Sequence, residues 1–396
     1  MRSATASQRA SGSNQVGVRQ YNERLILSLI REHEALTKAE IAKATNLTPQ
    51  TASMIINRLM EQDLLIAGTK RRGGLGQPST PYALNPEGAF SIGVKIGRVS
   101  LEVLFMDMTG NIRTRISHEY PFPTPKEVYA KIEESINTLL EPLDTIQRNR
   151  VTGVGLAAPF ALEGWGDELI EAKEALAEWA KIDMLEELEK VTDLDAAMLN
   201  DATAACLAEL TFGNPQSWEN LLYFYVGTFI GGGVVINGQI LPGSHANAGA
   251  LGSVPSASGK QLIHYASLHQ LDKRLKSESI VADFANLSET LEQDAWTLFT
   301  EWADNAAPYI AQTIAAGSAF IDPDGVIIDG RLPAVATQYL VLAVNRASSD
   351  VNWEGLNKPP VIAGKLGFEA RALGGALLPI YSNFGLDNQA FLKASQ

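Results

Sequence analysis

Cysteine occurs once in the 396 residues, at Cys206, and histidine only five times. A single thiol excludes an internal disulfide and any zinc site built from several cysteines. No apolar run approaches the ~20 residues that cross a bilayer as a helix, and the first residues lack the hydrophobic core of a secretion signal. A cytoplasmic chain with no membrane partner is therefore expected. Basic charge is scarce too: 32 Lys and Arg face 45 Asp and Glu, a formal net of −13. The scarcity is uneven, because residues 1–85 hold 11 of those cations and 6 of the acids, a net of +5, which leaves −18 for residues 86–396. An acidic body repels DNA, so the N-terminal part is the one suited to dock on it. A chain of this length exceeds what one core usually serves, and two or three domains are expected.

What is present starts with Thr37 to Leu65, which reads as two short helices joined by a tight turn. Thr37 with Glu40 has the spacing of a capping box, and Ile41 and Ala44 supply the first helix with an apolar side. Asn46 and Leu47 make the turn. Thr48 caps the second helix and Pro49 takes its first position, where a missing N–H costs nothing. Ala52, Ile55, Ile56 and Leu59 share one face, which points Gln50, Thr51, Ser53, Met54 and Asn57 outward. Short polar side chains on the N-terminal half of a second helix are what a helix-turn-helix uses to reach base edges in a major groove. A helical hairpin inside a larger core would share the apolar face, but not the agreement of turn, caps and polar row. After Leu65 come Lys70, Arg71, Arg72, three glycines and Gln77-Pro78, set between the apolar runs 64–67 and 82–84. This is a basic loop suited to phosphates or a minor groove, the wing of a winged helix. The candidate DNA contacts are Thr48, Gln50, Thr51, Ser53, Asn57, Arg71, Arg72 and Gln77.

Residues 1–17 have no periodicity and are expected to be a disordered tail, in which Arg2 and Arg9 could touch DNA loosely. A helix over 21–31, with Leu25, Ile26, Leu29 and Ile30 inward, should pack under the helix-turn-helix. Asn85-Pro86-Glu87-Gly88 places a boundary, giving a DNA-binding domain over 18–87 and a body over 88–396. The body reads as strands over 89–96, 100–106 and 112–119, a helix over 128–143 and a strand over 151–157. Strands recur over 220–226, 233–236 and 239–241, with Asn237-Gly238 as a hairpin turn. A helix over 294–317, strands at 326–328 and 361–363, and helices over 334–345 and from 369 complete it. The expected fold class is α/β: a winged helix-turn-helix followed by two lobes of mixed sheet with a cleft between them, actin-like or sugar-kinase-like, with the C-terminal helix returning to the first lobe.

Several segments, in this order, resemble the ROK family, in its repressor branch. They are the helix-turn-helix with its Gly-Gln-Pro wing, Val154–Pro159, Leu199–Ala205, Gly227–Gly238, Asp329-Gly330 and Ala370–Ala376. In kinases of this family the Asp of the Asn-Asp-Ala segment is the general base for a sugar hydroxyl, and its Asn neighbour bonds the sugar. The resemblance gives those places to Asp201 and Asn200. Read from the residues alone, Asn200 or Asp201 is also a default helix N-cap, and both roles can hold together. The ligand site implied by resemblance comprises Pro159, Asn200, Asp201, Gly231, Ala250 and Ser253.

The departures bear on activity. Where family kinases open the body with Asp-x-Gly-x-Thr, this chain has Lys95-Ile96-Gly97-Arg98-Val99-Ser100. A cation in place of a carboxylate that helps position magnesium should cripple phosphoryl transfer. Lys95 and Arg98 can attract an anion, although a solvated or lobe-bridging pair is the simpler expectation. The sugar-binding Glu and zinc-binding His of the family's Gly-Glu-x-Gly-His fall on Ala250 and Ser253, and the cysteine zinc loop is replaced by Ser256–Lys260. No metal and no cofactor are expected. His264 and His269 lie nearby, Leu262, Tyr265 and Leu268 are candidates to fill the region, and Phe160, Trp165 and Trp179 could stack on a sugar face. The sequence thus points to a non-enzymatic, sugar-responsive repressor of carbohydrate genes that binds a double-stranded operator as a homodimer or homotetramer. An active sugar kinase with a DNA-binding appendage, or a protein-docking regulator with a vestigial pocket, remain alternatives.

Overall fold

Two threonine caps organise the N-terminal region of the computed structural model, which describes residues 15–70, 79–160, 162, 173–213, 216–282, 284, 287 and 293–386. Helix α1 (Gln15–His33) is followed by β1 (Ala35–Thr37), α2 (Lys38–Thr45), α3 (Pro49–Glu61), β2 (Leu65–Ala67) and β3 (Pro81–Leu84). Thr37 closes a capping box on α2: Glu40 N–H donates to its Oγ1 at 3.3 Å, and Thr37 N–H donates to Glu40 Oε2 at 2.7 Å. Asn46 ends α2 in the left-handed region, and Thr51 N–H donates to Thr48 Oγ1 at 3.2 Å to start α3. Ala52, Ile55, Ile56 and Leu59 are buried against Ile26, Leu27, Ile30 and Ile41. The three strands form a small antiparallel sheet in the order β1-β3-β2, whose β2–β3 connection is the wing.

Three expectations shift here. Residues 15–17, placed in the tail, are helical, while 1–14, with Arg2 and Arg9, lie outside the described residues. On α1, Leu27 is buried and Leu25 and Leu29 only half-buried. On α2 the buried residues are Ile41 and Ala42, and Ala44 is exposed. At about 100° per residue, Ala44 falls about 110° from the centre of a face that holds Ile41 and Ala42.

The body begins after the turn at Asn85–Gly88. Strands β4 (Phe90–Ile96), β5 (Ser100–Asp107) and β6 (Ile112–Glu119) are antiparallel, and β7 (Val151–Ala158) and β8 (Ala196–Asn200) extend the sheet in parallel, in the order β6-β5-β4-β7-β8. Helix α4 (Pro125–Leu140) covers the sheet through Val128, Ile132, Ile136 and Leu139, starting three residues earlier than expected because Pro125 suits a first helical position. Short helices α5 (Thr145–Arg148), α6 (Lys173–Ala177) and α7 (Met184–Lys190) fill the connections, and α8 (Asp201–Ala208) leads out of the lobe.

The second lobe has a sheet in the order β11-β10-β9-β12-β13. Its strands are β9 (Leu221–Val226), β10 (Ile230–Ile236), β11 (Gln239–Ile240), β12 (Gly325–Gly330) and β13 (Val361–Ala363). Helices α9 (Ile263–Ala266), α10 (Leu268–Ser277), the 29-residue α11 (Gln293–Ile321) and α12 (Ala334–Ala347) pack on it around Phe299, Ile310, Ile314, Leu340 and Val344. The last described helix, α13 (Ala370–Phe384), runs back to the first lobe and lies across β4, β7 and α8 at backbone contact. A Cβ on Gly374 would stand 1.8 Å from Ala204 O, and one on Gly93 would stand 2.3 Å from Ala376 N. Glycine is what allows the crossing.

The C-terminal end of α13 reaches the winged helix. Arg24 donates to Ser382 O at 3.1 Å, and Phe384 packs against the winged-helix core, which also takes in Ala89 and Met108 of the body. Arg31 donates to Met108 O, and Arg150 pairs with Asp63 at 2.7 Å.

Candidate nucleic-acid interface and ligand cleft

On α3, Gln50, Met54 and Asn57 are exposed, and Thr51 and Ser53 are half-buried at the same surface. Thr48 and Thr51 join hydroxyls at 2.8 Å, so these two are committed to the cap. Ser53 and Asn57 are tied together by a residue the sequence reading passed over. Lys38, at the start of α2, donates to Ser53 Oγ at 3.0 Å and to Asn57 Oδ1 at 2.8 Å, and its ammonium lies 5.5 Å from the Tyr82 ring centroid. Its place at the start of the first helix, where a helix-turn-helix brings the second helix close, was the available signal. Lys38 holds two polar groups in a fixed orientation beside Gln50 and adds a positive charge to the face. Arg71, Arg72 and Gln77 lie outside the described residues; Lys70, just before them, is exposed.

Between the lobes is a cavity of about 180 Å³. The first lobe contributes Lys95 from the end of β4, Arg98 from the β4–β5 turn, Pro159 after β7, and Asn200 and Asp201 at the β8–α8 junction. The second contributes Tyr225 from β9, Gly231 from β10 and Arg331 after β12, and Arg371 enters from the first turn of α13. Four of the six expected ligand residues, Pro159, Asn200, Asp201 and Gly231, are thus brought together. Ala250 and Ser253 do not line the cavity. They sit on a short 3₁₀ turn that buries Leu251 and Gly252 against β10, with a Gly252 Cβ placed 2.2 Å from Ile230 O, and Ser253 is left exposed.

Asn200 caps α8: its Oδ1 accepts from Ala202 N–H at 3.1 Å. Asp201 accepts from Arg371 at 3.0 Å, and the Arg371 guanidinium lies 4.8 Å from the centroid of the Tyr225 ring. Two buried polar atoms of the lining have no hydrogen-bond partner among the described residues, the Tyr225 hydroxyl and Arg371 Nε. Lys95 is neither solvated nor lobe-bridging. It sits opposite Glu102 in the β4–β5 register, donates to it at 3.0 Å, and is 4% exposed. Burial, then Arg371, lowers its ammonium to about 8 against the opposing pull of Glu102. Behind the cavity, Glu209 accepts from the N–H groups of Lys365 and Leu366 at 3.0 and 3.2 Å. Burial first, and the neighbouring Asp329 second, push its carboxyl up to about 7.

The segment 255–261, expected from the resemblance to replace a zinc loop, is a closed turn. Pro255 bridges Gln261, Gly259 N–H donates to Ser256 O at 3.0 Å, and Ser256 Oγ donates to Lys260 O at 2.8 Å. Ser258 meets Tyr265, whose ring stacks on Tyr309 at 3.7 Å. Among the described residues no three His, Cys, Asp or Glu side chains are placed to hold a metal. Leu262 and Leu268 are buried there, His269 is buried beside Phe229, and His264 is exposed. Trp179 belongs to the first-lobe core, with its indole N–H donated to Pro123 O at 2.9 Å. Phe160 is off the cavity and Trp165 lies outside the described residues. Tyr225, Arg331 and Arg371 were not anticipated as site residues. A lone arginine within the glycine- and alanine-rich run from Ala370, and another just after Asp329-Gly330, were the signals.

Comparison with known proteins places both parts. Residues 91–380 match the profile of the ROK family, and residues 20–73 that of the MarR family. The chain is 28% identical over 369 residues to the uncharacterized protein y4fQ of Sinorhizobium fredii, covering 92% of this chain and 91% of that one. It is 21% identical over 240 residues to the xylose repressor of Bacillus spizizenii, covering 61% of this chain and 62% of the repressor. The crystal structure of a ROK family transcriptional regulator, a homologue of the E. coli MLC protein, superposes with a TM-score of 0.66 at 18% identity, over 93% of this chain and 98% of that one. Among the described residues no helix is long and apolar enough to cross a membrane.

Proposed function

Since the chain belongs to the ROK family, we propose that it is a sequence-specific DNA-binding regulator, a repressor of carbohydrate uptake or catabolism genes released or tightened by a sugar-type ligand in the interlobe cleft. The observation that carries this reading is the pairing of two separate surfaces in one chain: an exposed polar row on an α3 capped by Thr48, and a polar cavity fed by both lobes. The xylose repressor similarity supports it. Gln50 and Asn57 read bases in the major groove, Ser53 and Lys38 support them, and Arg71, Arg72 and Gln77 follow phosphates or the minor groove. Asn200 and Asp201 bond sugar hydroxyls with Pro159 and Gly231 shaping the floor.

Two subunits present two α3 helices to a near-palindromic operator in the cytoplasm, spaced by about one or two helical turns. A ligand that binds the closed cleft better than the open one shifts the lobes, and α13 spans from the cavity lining at Arg371 to the winged helix at Ser382 and Phe384. Phosphoryl transfer is not part of this function. By the resemblance, Lys95 takes the place of the family kinases' magnesium-positioning aspartate, and Asp201 is paired with Arg371.

The test is selection of binding sites from random duplexes by the full-length protein, followed by affinity measurements on the selected site. A dyad sequence should emerge, and Gln50→Ala and Asn57→Ala should each lower specific affinity by ~1–3 kcal/mol. A protein that enriches no sequence would end the regulator reading; sugar-dependent ATP turnover would replace it with a kinase.

A further inference from the structure

In a chain with a formal net charge of −13, four cations line this one cavity. Lys95, Arg98, Arg331 and Arg371 face it, and Asp201 is the lone carboxylate among the described lining residues. Asp201 is already paired with Arg371, and Glu102, beneath Lys95, is shared between Lys95 and Arg115. Cations thus outnumber carboxylates in the lining by four to one, whereas a neutral sugar needs no cations and is bonded by carboxylates and amides. Two further groups ask for an occupant. The Tyr225 hydroxyl and Arg371 Nε belong to lining residues 2% and 9% exposed, and neither atom has a partner among the described residues. Each is a donor, and a buried donor left unpaired is costly. Burial first, then Arg371, lowers the Lys95 ammonium against the pull of Glu102, and Arg331 lowers it further.

Building on the sugar-responsive reading above, we propose that the effector carries an anionic group, a carboxylate or a phosphoryl, seated among Arg98, Arg331 and Arg371 with its sugar ring toward Asn200. Arginine suits both anions, since its planar fork matches either pair of oxygens. The subsite draws on both lobes: Arg98 lies in the β4–β5 turn of the first, and Arg331 follows β12 of the second. An anion between them replaces repulsion across the cleft by attraction to a shared counter-charge, which supplies the differential affinity for the closed state that a switch requires. Neutral monosaccharides lack that term.

The test uses full-length protein and matched sets: glucose, galactose and mannose, each beside its uronate and its 6-phosphate, with inorganic phosphate as a separate probe. Thermal shift and titration calorimetry are read alongside operator binding. In at least one set the anionic member should raise Tm while its neutral parent at equal concentration does not, and Arg98→Gln or Arg331→Gln should weaken its binding by about tenfold or more. The uronate and phosphate arms separate a carboxylate from a phosphoryl group. A neutral sugar that binds as tightly as its anions, and equally well to both variants, would overturn the anionic subsite and leave the sugar-responsive regulator standing. Operator binding with no response to any set or to phosphate would overturn both.

Discussion

Single side chains here are decided by what they face rather than by their type. Lys95 looks like a surface lysine in sequence, yet the β4–β5 register sets it against Glu102 with both side chains about nineteen-twentieths buried. A buried pair of this kind is weak evidence for stability but costly to break from one side, because the partner charge is then stranded. Glu209 offers a measurable case. Burial, then Asp329, pushes its folded carboxyl up to about 7 from an ordinary 4.5, so between these values the folded state binds more protons than the unfolded one. The contribution is therefore fully present below about 4.5 and is lost as pH rises through about 7. The unfolding free energy of the wild type should fall relative to Glu209→Gln between pH 4.5 and 8, by on the order of 3 kcal/mol. Denaturant titrations across that range check it, and parallel curves would show that burial does not hold this carboxyl's proton. Gln keeps one acceptor oxygen for Lys365 or Leu366 N–H but not both, which sets a constant offset and leaves the slope as the signal.

Elements were legible where their causes are local. The caps at Thr37 and Thr48 involve partners three residues away, so the helix-turn-helix could be read from its letters. The strands around Asn237-Gly238 followed from turn chemistry in the same way. The cavity was legible only in part, because a glycine-rich run such as Gly249–Gly252 does not reveal which of its residues the neighbouring strand will bury. Leu251 and Gly252 went inward, and Ala250 and Ser253 were left off the site. Arg371 was harder still, since its place depends on α13 crossing elements more than 160 residues earlier, Ala204 among them. That crossing reverses a familiar rule. Alanine normally favours a helix over glycine by ~1 kcal/mol, but at Gly374 the added Cβ would meet Ala204 O at 1.8 Å. Gly374→Ala should therefore destabilise the protein by about 3 kcal/mol or more, read by denaturant unfolding, because backbone meets backbone and no rotamer can yield. A neutral or stabilised variant would show that α13 lies farther from α8.

Across the whole molecule, charge and topology divide the work. The N-terminal 85 residues carry +5 and the remainder −18, which orients the chain on a polyanion and keeps the body off it. The two parts are nevertheless joined by Arg24, Arg31, Arg150 and the end of α13, so the body can bear on the winged helix. The same helix closes the first lobe. Strand β4 begins at Phe90, but the surface that Gly93 and Gly155 offer is covered by Ala376, Gly375 and Pro379 of α13. Chains cut before Ala370 should accordingly be insoluble or purify with exposed apolar surface, as dye binding would report, and a soluble, well-folded truncation would show that the first lobe stands without it. For a chain emerging from a ribosome at roughly 5–20 residues per second, the interval between Ile96 and Ala370 is tens of seconds. During that time the winged helix, made first and drawing most of its core from local contacts, is in place while the lobe that governs it is unfinished. Synthesis order thus gives the chain DNA recognition before it gives control over it.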